Sequence, residues 1–370
     1  MKKFFSVFIL VVICSFVCIS VNAEELDLND IYNQQFEASG ADNLINSLPD
    51  DVANRLQDFD VGKLSEGEHE YFNIENIFGI IVSFIKSGCR RPFVSMVSIV
   101  AILLLSAAVG GITSNEKLIN FVVAVGITAS AILPVSATVV ACVDAIKSCA
   151  TFMFSFVPTF AAVLVARGKS LTASGFSTVV LAACEVVNYF CSFVVIPLTS
   201  CQLALSVSGS TLTQINVESV SRTVKKITMW LLSLVCTVFV SVLGFQTVVS
   251  TPADNLSSKA TKFVVGTTVP VVGATVSEAL ATVKGCIKVL GSSVAVYSIT
   301  ALALIALPIV IELVLWRLTL GVTAALSDVL NQTKTGSLLR SVDSAVSVIL
   351  GIIVLTVVLF IISITIVAVV

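Results

Sequence analysis

The residues able to do chemistry in this chain are few, and most lie inside or beside apolar runs. Glu185 stands ten residues into a long apolar run, with Asn188 three positions later on the same helical face. Burying a charge at a bilayer's centre costs at least ~2.5 kcal/mol, so a partner or a water-filled cavity is implied. Two readings stand: hydrogen-bonded glue between helices, or the lining of a pore or ion path. Glu312 lies near the end of another run with Arg317 behind it. There, anchoring at the membrane interface is the simpler reading. Glu278, with Lys284 and Lys288, gives the segment Ala274–Val289 a polar face suited to an aqueous vestibule or a partner helix.

Catalytic and metal chemistry find little support. His69 is the one histidine, so the H-E-x-x-H zinc motif is ruled out. Neither a G-x-S-x-G nucleophile turn nor a G-x-x-x-x-G-K-[ST] phosphate loop occurs. Asp144 and Lys147 fit a local ion pair at a span end. The 10 cysteines include no C-x-x-C pair and read as small hydrophobes. No catalytic, cofactor or metal residue emerges, and the chain reads as a non-enzyme. With no dense basic stripe, it offers nucleic acid nothing to hold.

Backbone punctuation is the second source of candidates. Lys259–Gly273 is apolar, yet Gly266, Pro270 and Gly273 interrupt it. Glycine weakens a helix by about 1 kcal/mol and interior proline by about 3. A broken backbone at membrane depth must be covered by protein or face a water-filled cavity. These three residues and Pro134 are therefore candidate hinges. Pro134–Cys149 and Pro270–Cys286 also echo one another weakly, as two related proline-broken segments would.

The elements that position these residues follow from composition. The 370 residues are 56% hydrophobic and 12% charged, with mean hydropathy +1.04. Soluble domains carry about 25% charged residues, so this is an all-α integral membrane protein. Residues 1–23 read as a signal peptide: Lys2 and Lys3, an apolar run, and small residues before a cleavage site after Ala23. Residues 24–76 form an exported acidic segment, with fourteen Asp/Glu against Arg55 and Lys63. Its loosely helical pattern, divided at Pro49, predicts a helical hairpin leaning on the membrane domain or on a partner. Residues 77–91 read as an amphipathic interfacial helix. The polytopic domain 92–370 should hold about seven spans, near 92–112, 118–143, 149–166, 176–205, 227–250, 294–315 and 346–370. Ala274–Val289 reads as a short re-entrant helix.

Thr251–Gly273, read T-P-A-D-N-L-S-S-K-A-T-K-F-V-V-G-T-T-V-P-V-V-G, resembles the stage III sporulation protein AE family. So do A-L-P-I-V-I-E-L-V-L-W-R (Ala306–Arg317) and F-S-F-V-P-T-F (Phe154–Phe160). The resemblance runs from about Phe78 onward. It implies a multi-pass subunit of a secretion-like channel complex between mother cell and forespore, in the outer forespore membrane of an endospore former. Implied partners are other stage III operon proteins, including a cytoplasmic ATPase and ring-forming membrane proteins, and the forespore channel protein Q. Lipid surrounds the subunit, and a homo-oligomer is a further candidate. Two alternatives stay open: a stand-alone secondary transporter using Glu185 and the proline breaks, or a non-conducting scaffold.

Overall fold

In lipid every backbone polar group must be satisfied internally, so apolar sequence of this length folds as helices. A computed structural model of the protein describes residues 44, 48–49, 52–53, 74–110, 116–190, 193–194, 196–211, 217–268 and 273–369. Its principal helices are α1 (Ile74–Gly110), α2 (Glu116–Ile127), α3 (Leu133–Ala166), α4 (Ser170–Phe190), α5 (Ile196–Thr211), α6 (Val217–Thr268), α7 (Gly273–Val329) and α8 (Thr333–Val369). No strand occurs among the described residues. The signal-peptide segment, His69 and Pro270 lie outside them.

Six stretches among the described residues are long and apolar enough to cross a membrane: Val82–Val109, Phe121–Ala166, Ser170–Phe190, Arg222–Ser250, Ser293–Val329 and Thr333–Ala368. The protein is a multi-pass membrane protein. The difference from seven has local causes. The runs 118–143 and 149–166 belong to one rod, because Asp144 and Lys147 are exposed and leave the helix unbroken. Run 176–205 is divided between α4 and the 16-residue α5. The 77–91 segment and the run after it are likewise one helix, α1, which carries Pro92 inside it.

Pro134 does disturb the backbone. Proline lacks an N–H and its ring crowds the carbonyl four residues back. The chain absorbs this by widening into a five-residue π-turn, Thr128–Ile132, between α2 and α3. Helical angles at Ile127 (φ −69, ψ −38) and Ile132 (φ −73, ψ −40) carry the rod through it. Gly266 lies inside α6, and Gly273 is the first residue of α7. Ala274–Val289, expected to be re-entrant, is instead the start of a 57-residue helix.

Two tight hairpins close in the same way. After α3, Gly168 adopts φ 80, Lys169 N–H donates to the Leu164 carbonyl at 2.9 Å, and Gly168 N–H donates to that of Val165 at 2.8 Å. After α7, Asn331 adopts φ 59, Gln332 N–H donates to Ser327 at 2.9 Å, and Asn331 N–H donates to Asp328 at 3.0 Å. Both are Schellman closures, which need a residue tolerant of the left-handed region.

The α7–α8 hairpin is the centre. α1 and α3 pack on α7, α5 and α6 pack on α8, and α4 bridges α3 and α6. Gly351 of α8 lets α6 approach: a Cβ there would lie 2.6 Å from Met229 Sδ. Leu44, Leu48 and Val52, spaced four apart, are buried in the same core. The Pro49 carbonyl accepts N–H bonds from Val52 and Ala53, both at 2.9 Å, and so begins a new turn.

Candidate functional site

Several ionisable groups of the bundle converge on α7 around Glu312 and Arg317. Glu312 and Trp316 are four residues apart and so share a face. That face meets α3 at Thr138, which lies one turn beyond Pro134. Thr138 Oγ1 donates to Glu312 Oε1 at 2.9 Å, and Trp316 Nε1 donates to Thr138 Oγ1 at 3.1 Å. The Pro134 carbonyl, 3.3 Å from the same hydroxyl, is the more distant acceptor. A single hydroxyl thus receives one bond and makes one. Its proton is drawn to the carboxylate, because bonds to ionised acceptors are the stronger ones. Trp316 is fully buried, which makes its N–H costly to leave without an acceptor.

From α1, Arg91 Nη1 comes within 3.9 Å of Glu312 Oε1. The Arg91 side chain is 65% exposed and that of Glu312 only 14%. Water therefore screens the arginine, and the pair is a weak one. α1 lies close here: Gly88 sits against the α7 backbone at Glu312, where a Cβ would still make ordinary contact, 3.8 Å from Glu312 Cα.

Arg317 follows Glu312 by five residues, about 140° around the helix and ~7.5 Å along it. It therefore faces the other way, toward α8. Arg317 Nε donates to Asp343 Oδ1 at 2.7 Å and Nη2 to Oδ2 at 3.1 Å. This is the two-pronged fork that a guanidinium forms with a carboxylate. Nη1 is buried without a hydrogen-bond partner among the described residues, as is Ser344 Oγ beside Asp343. Lys225 of α6 lies close enough to feel both members of the fork. The result is a polar crossing at one level of the bundle: Arg91, Glu312, Thr138 and Trp316 on one side of α7, and Arg317, Asp343 and Lys225 on the other.

The other candidates stand apart from it. Glu185 is exposed on α4, while Asn188 is half-buried with Oδ1 lacking a partner among the described residues. Glu278 lies 34 residues before Glu312 on α7, about 51 Å along the helix axis. Gly266 and Gly273 are at the far ends of α6 and α7. Among the described residues, no three His, Cys, Asp or Glu side chains come together as a metal ion would require. At the bundle end away from the crossing, Arg167 packs into the notch left by Gly291, and burial pushes its guanidinium down from the ordinary value.

Sequence reasoning found Glu312 and Arg317 but missed Thr138, Trp316, Asp343, Arg91 and Lys225 as their company. The signal available was weak: acidic and basic residues at the edges of four different runs. Thr138 had none, since a threonine in an apolar helix ordinarily bonds its own backbone.

The model of a family described as stage III sporulation protein AE matches residues 61–370. A relative from Bacillus subtilis (strain 168), named stage III sporulation protein AE, is 24% identical over 163 residues. The match spans 44% of this chain and 41% of that relative. No solved structure matches.

Proposed function

The chain belongs to the stage III sporulation protein AE family, and from that premise we propose that this multi-pass membrane protein is the gate-like or scaffold subunit of the complex joining mother cell and forespore. Its role in sporulation rests on the family. The subunit reading rests on one observation: the carboxylates of the crossing are engaged by neighbouring helices. Glu312 takes the Thr138 hydroxyl and Asp343 takes the two-pronged bond from Arg317, so both acidic groups tie helices together, while Arg317 Nη1 has no hydrogen-bond partner among the described residues. A solute carrier would instead aim such groups into a shared cavity near its broken helices. Exposed Glu185, far from the crossing, supports the same choice.

Partners are the other stage III membrane proteins and a cytoplasmic ATPase, since the chain has no phosphate loop of its own.

The test is purification of the tagged full chain from sporulating cells. Recovery with other stage III proteins is expected. Recovery alone, together with solute uptake by vesicles containing only this chain, would overturn the subunit reading in favour of a transporter.

A further inference from the structure

The apolar part of this molecule is about twice as long as a bilayer is thick. Phe121–Ala166 is one rod of 46 residues, ~69 Å, against a hydrocarbon core of about 30 Å. Contacts fix which levels coincide. Thr138 and Glu312 mark the crossing. On one side of it, Ser250 bonds Thr172 and Arg167 meets Gly291. There α3, α4, α6, α7 and α8 run together from about Lys147 to Arg167, ~30 Å. That half matches a bilayer.

On the other side α1 continues parallel to α7. Thr319 Oγ1 donates to the Pro92 carbonyl at 3.4 Å, and Gln332 Nε2 to the Leu103 carbonyl at 3.1 Å. The α7–α8 turn therefore stands midway along Pro92–Gly110. This turn carries exposed Asn331, Lys334 and the exposed pair Asp328–Arg340. Lipid does not tolerate an exposed turn of such charge at hydrocarbon depth. Yet at that level α1 and α2 expose Phe93, Val97, Leu104, Leu105, Phe121 and Val125. No charged residue occurs in 92–115 or 118–143.

We infer that the α1–α2 hairpin stands beyond the bilayer and is covered there by further copies of this chain. Lipid is excluded by length and by the charged turn at the same height, and water by the size of the apolar face. A neighbour must bring an uncharged apolar surface at that height. A second copy does so automatically, because copies in one membrane share orientation and depth. The inference is independent of the channel reading, since self-association would serve a transporter equally.

The experiment uses the full chain without native cysteines, carrying V97C, L105C or F121C on the hairpin, or V238C on α6 as the bilayer reference. Two differently tagged forms are co-expressed in native membranes and oxidised. Disulfide-linked species carrying both tags are expected from at least one hairpin variant, with a lipid-phase thiol probe labelling V238C at least fivefold more than the hairpin positions. Equal labelling by that probe would overturn the inference, because the bilayer would then cover the hairpin. Free reaction with a water-soluble maleimide, or cross-links only to a different protein, would also overturn it.

Discussion

α6 and the α7–α8 pair are built from similar material and are used in opposite ways. In their spanning windows, 67% of α7 and 72% of α8 is buried against 12% of α6. Apolar content sets α8 apart, but it separates α7 from α6 only slightly. Small polar residues do not separate them: Ser298 and Ser363 are buried, while Thr237 and Ser241 of α6 are exposed. All four hydroxyls donate to the carbonyl four residues back, at 2.7, 2.7, 2.8 and 2.8 Å respectively. A back-bonded hydroxyl is already satisfied, so it sits equally well against lipid or against protein. The difference is that α7 carries groups needing company. Glu312, Trp316 and Arg317 must meet partners on α3 and α8, and that need draws the helix inward.

Substitutions can break this comparison, in decreasing order of effect. Asp343→Ala leaves the Arg317 fork unpaired beside Lys225. Breaking a fully buried pair costs 3–5 kcal/mol, and here, with both side chains partly exposed, about 2 to 3. Steady-state abundance in membranes should fall sharply, and wild-type abundance would show that the fork does not hold α7 to α8. Trp316→Phe removes the donor to Thr138 and leaves a small void, for about 1 to 2 kcal/mol. Heating of the detergent-solubilised variant, followed by size exclusion, should show earlier loss of protein. Gly351→Leu drives into Met229 and should loosen α6 by about 1 kcal/mol. Protease accessibility of the segment before α6 should rise while that of the α7–α8 turn stays unchanged.

Two smaller effects sharpen the contrast. Glu312→Gln keeps an acceptor for Thr138 but loses the charge assistance of that bond and the weak Arg91 pair, so thermal stability should fall by about 0.5 to 1 kcal/mol. A drop comparable to that of Asp343→Ala would mean the Glu312 charge has a role beyond packing. Leu234→Ala on the exposed face of α6 should leave stability within about 0.5 kcal/mol. A larger loss would identify that face as protein-covered.

Much of the fold was legible because helices are local. Apolar runs with few charges gave a helical membrane protein, and Pro134 pointed to the place where the rod widens into a π-turn. Span boundaries were less legible. Asp144 and Lys147 read as a span end, but charged residues pointing outward do not stop a helix. Gly266 read as a break, yet one glycine near the end of a 52-residue helix is a cost α6 absorbs.

The sequence by itself determined the membrane class, the helical content, the family and the small set of ionisable residues that had to find partners. Those properties follow from composition and from hydrogen bonds four residues apart. Tertiary structure alone decided which partners they found. Thr138 and Glu312 are 174 residues apart and Arg317 and Asp343 are 26 apart. It also decided that α6, not α7, faces outward. A carboxylate in an apolar run states a requirement, and only packing in three dimensions brings up the group that meets it.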